Sequence, residues 1–198
     1  MTASYSAGKK LSKNRRFPYN KIRRIANTLF QENEIETLTG KLRAEFNMGK
    51  SQFILGSAGL LTERKGYKFF IGACYLIKND LLRKQAKVFI FGDGEEREGL
   101  ENLIKKYKLE GIVFLPGYRS DILKYIKDMD VFVLPSIDFE DFPYVNLEAM
   151  IQGKPLIGSS IAGIPEQIEQ NKTGILVEAK NEILLATAIK KLLNDTRL

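Results

Sequence analysis

DVFVLPSIDFEDFPYVNLEAMIQGKPLIGSS, Asp130 to Ser160, carries the pattern that decides the fold. The run DVFVLP (130–135) reads as an apolar strand, and a loop with Asp138, Glu140 and Asp141 follows it. Phe142-Pro143 leads into a helix that contains Glu148, Gly153-Lys154-Pro155 closes that helix, and KPLIGSS (154–160) is apolar again. Two apolar strands joined through a helix form the crossover unit of a parallel sheet covered on both faces. Pro143 suits the first helical turn, where its missing N–H would have been an orphan. The amides of Tyr144 and Val145 are then free to meet an anion, with the helix dipole behind them. Glu140 and Glu148, with seven residues between them, sit at the mouth of such a sheet. A carboxylate accepts two hydroxyl hydrogen bonds side by side, as a vicinal diol offers them. Spacing alone leaves open the plainer reading of an acidic loop and a solvated helix glutamate.

The same alternation extends in both directions. QFILGSAGLL (52–61), KVFIFG (87–92), GIVFLPG (111–117) and TGILVE (173–178) read as further strands. Helices are expected over 67–79, largely apolar and therefore buried, and over 95–108, where Leu100, Leu103, Ile104 and Tyr107 form one stripe. Others follow at SDILKYIKDM, at a short segment 165–170 and at 181–194, while Ile35, Leu38, Leu42 and Phe46 predict an amphipathic helix over 34–47. KIRRIANTLF (21–30) reads as a short strand and turn. The fold class is therefore α/β, a doubly wound, Rossmann-like parallel sheet of about six strands with helices on both faces. Ligands of such sheets bind beyond the carboxyl ends of the strands, which points to the loops 57–66, 92–95, 116–121, 136–143 and 159–166.

The chain of 198 residues contains no histidine and one cysteine, Cys74. That excludes Ser-His-Asp and Cys-His nucleophile systems and histidine-based zinc sites. A lone cysteine in an apolar run favours a reducing, cytoplasmic setting. The longest apolar run, Phe69–Ile77, has nine residues, against the roughly 20 that span a bilayer. Gly92-Asp93-Gly94 is a broken dinucleotide fingerprint, with Arg97 where the third glycine belongs, and GLLTERKGY lacks phosphate-loop spacing.

The formal charge of +7 is concentrated at one end. Lys9, Lys10, Lys13, Arg15, Arg16, Lys21, Arg23 and Arg24 precede the first acid, Glu32, and the other 23 bases face 24 acids. Residues 1–20 show no helical or strand period and are expected to form a basic arm or linker, with 21–198 as the domain and 50–198 as its core. Such an arm is more often solvated than bound, with an anionic membrane surface as its alternative partner. Without further interleaved aromatics it does not suit nucleic acid.

As an ordered set, these segments resemble the family-4 (group 1) retaining glycosyltransferases of the two-Rossmann-domain GT-B fold. The set comprises Glu140 and Glu148 within EDFPYVNLEAMIQGKPLIG, GLLTERKG (59–66), VFIFGDGEEREGLENL (88–103), VFLPGYRSDI (113–122), DVFVLPS (130–136), AGIPEQI (162–168) and NKTGILVE (171–178). Residues 5–48 resemble the family's interdomain passage more weakly. The resemblance implies a donor-binding domain for a nucleotide-diphosphate sugar such as a UDP-sugar, without a metal or cofactor. It implies that Lys65 neutralises the diphosphate, Glu148 holds the ribose and Glu140 contacts the transferred sugar. The backbone of Phe142, Pro143, Tyr144 and Val145 would face the phosphates and sugar, and that near Tyr118 and Arg119 the base. Gly59 and Gly92 would leave room for the nucleotide sugar, and Ser136 would lie at the sheet end.

Three departures stand out. Leu60 occupies the place of the family's diphosphate arginine, for which Arg64 is the substitute at hand. Asp141 replaces a glycine and brings negative charge towards the diphosphate. The family's N-terminal acceptor domain, which would meet a glycan or lipid-linked acceptor, is expected to lie outside this sequence. The implied function is sugar transfer in cell-surface or capsular polysaccharide synthesis. The alternative is a non-catalytic nucleotide-sugar-binding or docking subunit. A nucleotide-sugar epimerase is disfavoured by the glutamate pair and the missing histidine.

Overall fold

Six strands pair in parallel in the order β3-β2-β1-β4-β5-β6. They are β1 (Ile54–Ala58), β2 (Lys87–Phe91), β3 (Val113–Gly117), β4 (Val131–Leu134), β5 (Leu156–Ser159) and β6 (Gly174–Val177). The structure is a computed structural model, and it describes residues 1–15, 18–27 and 40–195. The order reverses between β1 and β4, so the chain after those two strands departs to opposite sides and leaves a crevice at their carboxyl ends.

Period-two alternation sends side chains to two cores. Leu55, Val88, Ile90, Val131 and Val133 face one side, under helices at Tyr67–Leu76, Lys78–Arg83, Arg97–Lys106 and Glu182–Asn194. Ile54, Phe89, Phe91, Phe132 and Leu134 face the other, packed with residues of helices at Leu42–Glu45, Ile122–Ile126 and Tyr144–Ile151. Counting the N-terminal helix Tyr5–Arg15, these helices are α1 (5–15), α2 (42–45), α3 (67–76), α4 (78–83), α5 (97–106), α6 (122–126), α7 (144–151) and α8 (182–194). The doubly wound class expected from the apolar runs is the one observed.

Several elements differ from the expectation. The helix expected over 67–79 breaks at Ile77, whose φ of −112° and ψ of 22° leave the helical region. Its apolar character does not bury it all round. Phe70, Ile71 and Cys74 are buried, whereas Tyr75 and Leu76 stay half exposed, Tyr75 stacking on Tyr107 at 4.4 Å. The segment expected to be a helix over 165–170 is one 3-10 turn, Ile164–Glu166. Of the helix expected over 34–47, the residues before Gly40 lie outside the described residues, as do 28–30 of the strand expected over 21–30, and α2 is what the described part shows.

The N-terminal residues, expected to form an arm or linker, include a helix. Tyr5–Arg15 is an α-helix because acceptors from elsewhere satisfy its first amides. The Asp141 carboxylate accepts from the N–H groups of Ala3 (3.1 Å) and Ser4 (2.8 Å) and from the Ser4 hydroxyl (2.6 Å). Ser4 Oγ in turn accepts from the Ala7 N–H at 3.0 Å, and the Glu166 carboxylate accepts from those of Tyr5 and Ser6, each at 3.0 Å.

Candidate functional site

The crevice between β1 and β4 brings Lys65 and Glu140 together across 75 residues of sequence. Lys65 ends a 3-10 turn, Glu63–Lys65, after β1, and Glu140 lies in the loop after β4. Lys65 Nζ donates to Glu140 Oε1 at 2.5 Å, Arg64 Nη1 reaches the same oxygen at 2.8 Å, and the Ser136 hydroxyl donates to it at 3.1 Å. Arg64 Nη1 also donates to the Phe139 carbonyl at 2.8 Å. Lys65, Glu140 and Ser136 are all buried. Removing Glu140 would leave the buried Lys65 charge without its carboxylate, at a cost of about 3–5 kcal/mol.

Beside this cluster opens a cavity of about 300 Å³. Gly59, Leu60, Gly92, Tyr118, Arg119, Tyr144, Val145 and Glu148 line it. Its floor is laced by backbone: the Gly59 N–H donates to the Phe91 carbonyl and the Gly92 N–H to that of Gly117, each at 3.0 Å. Gly92 has φ +134°, and a Cβ there would overlap the Gly59 carbonyl, so this glycine serves the approach of two loops as well as any ligand. Tyr118, Tyr144 and Leu60 are exposed at the mouth.

Glu148 stands in the wall on α7, half-buried and without a hydrogen bond or ion pair among the described residues. Burial pushes its carboxyl above the ordinary glutamate value. Arg119, by contrast, is fully engaged. Its Nη1 donates to the carbonyls of Pro116 (2.9 Å) and Tyr118 (3.1 Å), its Nε to the Tyr125 hydroxyl (3.2 Å) and its Nη2 to Glu45 (2.6 Å). Hydrogen bonds from Tyr125 and Arg119 hold the Glu45 carboxyl below its usual range. Glu45 and Tyr125 were missed by sequence reasoning, since nothing local in LRAEFNM marks a partner 74 residues away.

Phe142 and Pro143 do not line the cavity. Phe142 is buried with its carbonyl accepting from Asn27 Nδ2 at 2.7 Å, and Pro143 is the N-cap of α7 rather than its first residue. The Pro143 carbonyl accepts from Gln167 Nε2 at 3.1 Å, and Gln167 Oε1 accepts from Asn146 Nδ2 at 2.9 Å. This buried amide pair fixes the start of α7 to the turn after β5. Asp141 spends its carboxylate on α1, so its charge is met by that helix terminus.

A family model described as glycosyl transferases group 1 matches residues 39–198. The chain belongs to the group 1 glycosyltransferases. Among its relatives is the putative colanic acid biosynthesis glycosyltransferase WcaL of Escherichia coli, 35% identical over 137 residues, which cover 66% of this chain and 33% of WcaL. Another, from Escherichia coli, is the UDP-Gal:alpha-D-GlcNAc-diphosphoundecaprenol alpha-1,3-galactosyltransferase, 32% identical over 74% of this chain and 38% of that protein. The chain thus spans well under half the length of these relatives. HepE of Anabaena, solved in complex with UDP, superposes with a TM-score of 0.84 at 23% identity, over 98% of this chain and 54% of HepE. That likeness confirms the fold as one Rossmann-like half of the two-domain architecture. No described helix is long and apolar enough to cross a membrane.

Proposed function

We propose that this domain binds a nucleotide-diphosphate sugar, and that the full-length protein transfers the sugar with retention to a glycan or lipid-linked acceptor in cell-surface polysaccharide synthesis. The observation that carries this reading is the Glu148 carboxylate in the cavity wall, half-buried and unpaired among the described residues. A half-buried carboxylate facing a cavity is placed to accept from a ligand's hydroxyls, and a ribose diol supplies two. The order of groups along the crevice fits such a ligand. Tyr118 and Arg119 would flank the base, and Glu148 would hold the ribose. The amides of Tyr144 and Val145, with Arg64 and Lys65, would meet the diphosphate, and Glu140 the sugar.

Glu140 holds both cations. A diphosphate would draw Arg64 and Lys65 towards itself and free the Glu140 carboxylate for sugar hydroxyls. During transfer the bond from the anomeric carbon to the diphosphate oxygen breaks, and the acceptor oxygen bonds to that carbon on the same face. The acceptor proton passes to the leaving phosphate, whose developing charge Lys65 and Arg64 stabilise. These cations and the α7 terminus supply the positive charge, so no metal is expected. The names of the two relatives and the UDP complex of HepE favour a uridine nucleotide and a polysaccharide pathway.

Calorimetry with UDP-glucose and GDP-mannose on wild type and Glu148→Ala tests this. One of the two is expected to bind, and loss of a charge-assisted hydrogen bond should weaken it by about 10- to 100-fold in the variant. Equal heats from both proteins would remove the ribose role. Binding without any transfer by the full-length protein would favour the docking-subunit reading.

A further inference from the structure

The loop that carries Glu140 is gripped by the N-terminal segment at Phe139, Asp141 and Phe142. The Phe139 ring lies under Lys10 Nζ, 4.4 Å from its centroid. Both Asp141 oxygens accept from Ala3 and Ser4, and the Phe142 carbonyl accepts from Asn27. Arg24 lies 5.6 Å over the Phe142 ring and 3.6 Å from Glu166, the second acid on the α1 terminus. The segment is itself tied together, since the Thr2 N–H donates to the Arg23 carbonyl (3.1 Å) and that of Ile25 to the Thr2 carbonyl (2.8 Å).

On its other side the loop is held by the Gly163 N–H, which donates to the Glu140 carbonyl at 2.8 Å. A Cβ on Gly163 would overlap the Asp141 carbonyl and approach Ser4 Cβ to 2.9 Å, so three segments meet there without room for a side chain. Ser4 and Glu140 are both buried at this junction.

We propose that residues 2–15 and 18–27 form a strap that fixes the backbone of residues 139–142, with Asp141 and Ser4 as positioning residues that set where the Glu140 carboxylate points. The Asp141 side chain points at the strap and acts on the ligand only through its neighbour. The helix terminus it caps cannot be displaced without leaving four amides, those of Ala3 to Ser6, short of their acceptors. Rotation of the loop is blocked from both sides, so Glu140 presents one geometry to Lys65, Arg64 and a bound sugar.

The assignment of a sugar to Glu140 rests on the proposed donor site, whereas the strap does not, and the two are measured separately. Hydrogen exchange on the ligand-free 198-residue chain reads the strap. Ser4→Ala and Asp141→Asn should each speed exchange at the 139–142 amides by about tenfold or more while β1 and β4 stay protected. Titration with UDP and with UDP-glucose reads the positioning. Both variants should keep wild-type affinity for UDP and lose about tenfold for UDP-glucose, the worth of one charge-assisted contact. Unchanged exchange in both variants overturns the strap. Faster exchange with an unchanged ratio of UDP-glucose to UDP affinity overturns the positioning role. Wild-type protein that binds neither ligand overturns the donor site, and with it the role given to Asp141, and is told apart because exchange needs no ligand.

Discussion

At the residue scale, Glu148 and Glu140 form an unequal pair, although the sequence presents them as two similar acids. Glu140 is buried among cations and a hydroxyl, while Glu148 is half-buried without partners among the described residues. This asymmetry sets a pH dependence. Burial raises the Glu148 carboxyl, and hydroxyl donors from a ribose would favour its ionised form, so binding expels a proton. Affinity for UDP should therefore fall as the pH drops through the raised value, more steeply than in Glu148→Gln. For folding the sign is opposite. A carboxyl raised in the folded state opposes folding once it ionises, so ligand-free wild type should gain stability relative to Glu148→Gln over the same fall in pH. Titration calorimetry at stepped pH reads the first effect and urea denaturation the second. Parallel pH profiles for wild type and variant would sink the assignment.

At the element scale, the strands were legible because each is a continuous apolar run, but their ends were not. QFILGSAGLL reads as a strand over 52–61, whereas β1 stops at Ala58 because Gly59 leaves the sheet to meet Gly92. The α1 helix was illegible for a related reason. Its first turn holds no acid, and the carboxylates that cap it lie 138 and 161 residues away. The closing helix is the contrasting case, with its cap local and readable. Asn181 Oδ1 accepts from the Leu184 N–H at 3.0 Å, and Leu185, Ile189 and Leu192 bury its apolar stripe. Asn181→Ala should cost about 1 kcal/mol, measured by urea denaturation, without altering nucleotide affinity. The same substitution at Ser4 should disturb the Glu140 loop, because only that cap is shared with the site.

At the scale of the whole molecule, strand order explains why distant residues meet. The reversal between β1 and β4 puts the loops after β1, β2 and β3 on one side of the cavity and α7 on the other. The glutamate spacing placed Glu148 in the right element, but that it faces Gly92 and Tyr118 follows from strand order, which local pattern does not encode. A ligand in this cavity would contact Gly59, Gly92 and Tyr118 from one half of the sheet and Tyr144, Val145 and Glu148 from the other. It would therefore resist any opening that separates the halves, and its binding energy would appear as stability of the entire domain. At a nucleotide concentration 100 times its dissociation constant the gain is about 2.7 kcal/mol. For a domain of this size that raises the melting temperature by roughly 5–10 °C. Thermal unfolding followed by far-UV circular dichroism, with and without UDP, should show this shift in wild type and in Asn181→Ala. At the same UDP concentration, the shift in Glu148→Ala should be at most about half that of wild type, since a 10- to 100-fold weaker complex leaves at most about 1.4 kcal/mol of coupling. An undiminished shift in Glu148→Ala would place the nucleotide elsewhere than in the crevice between β1 and β4.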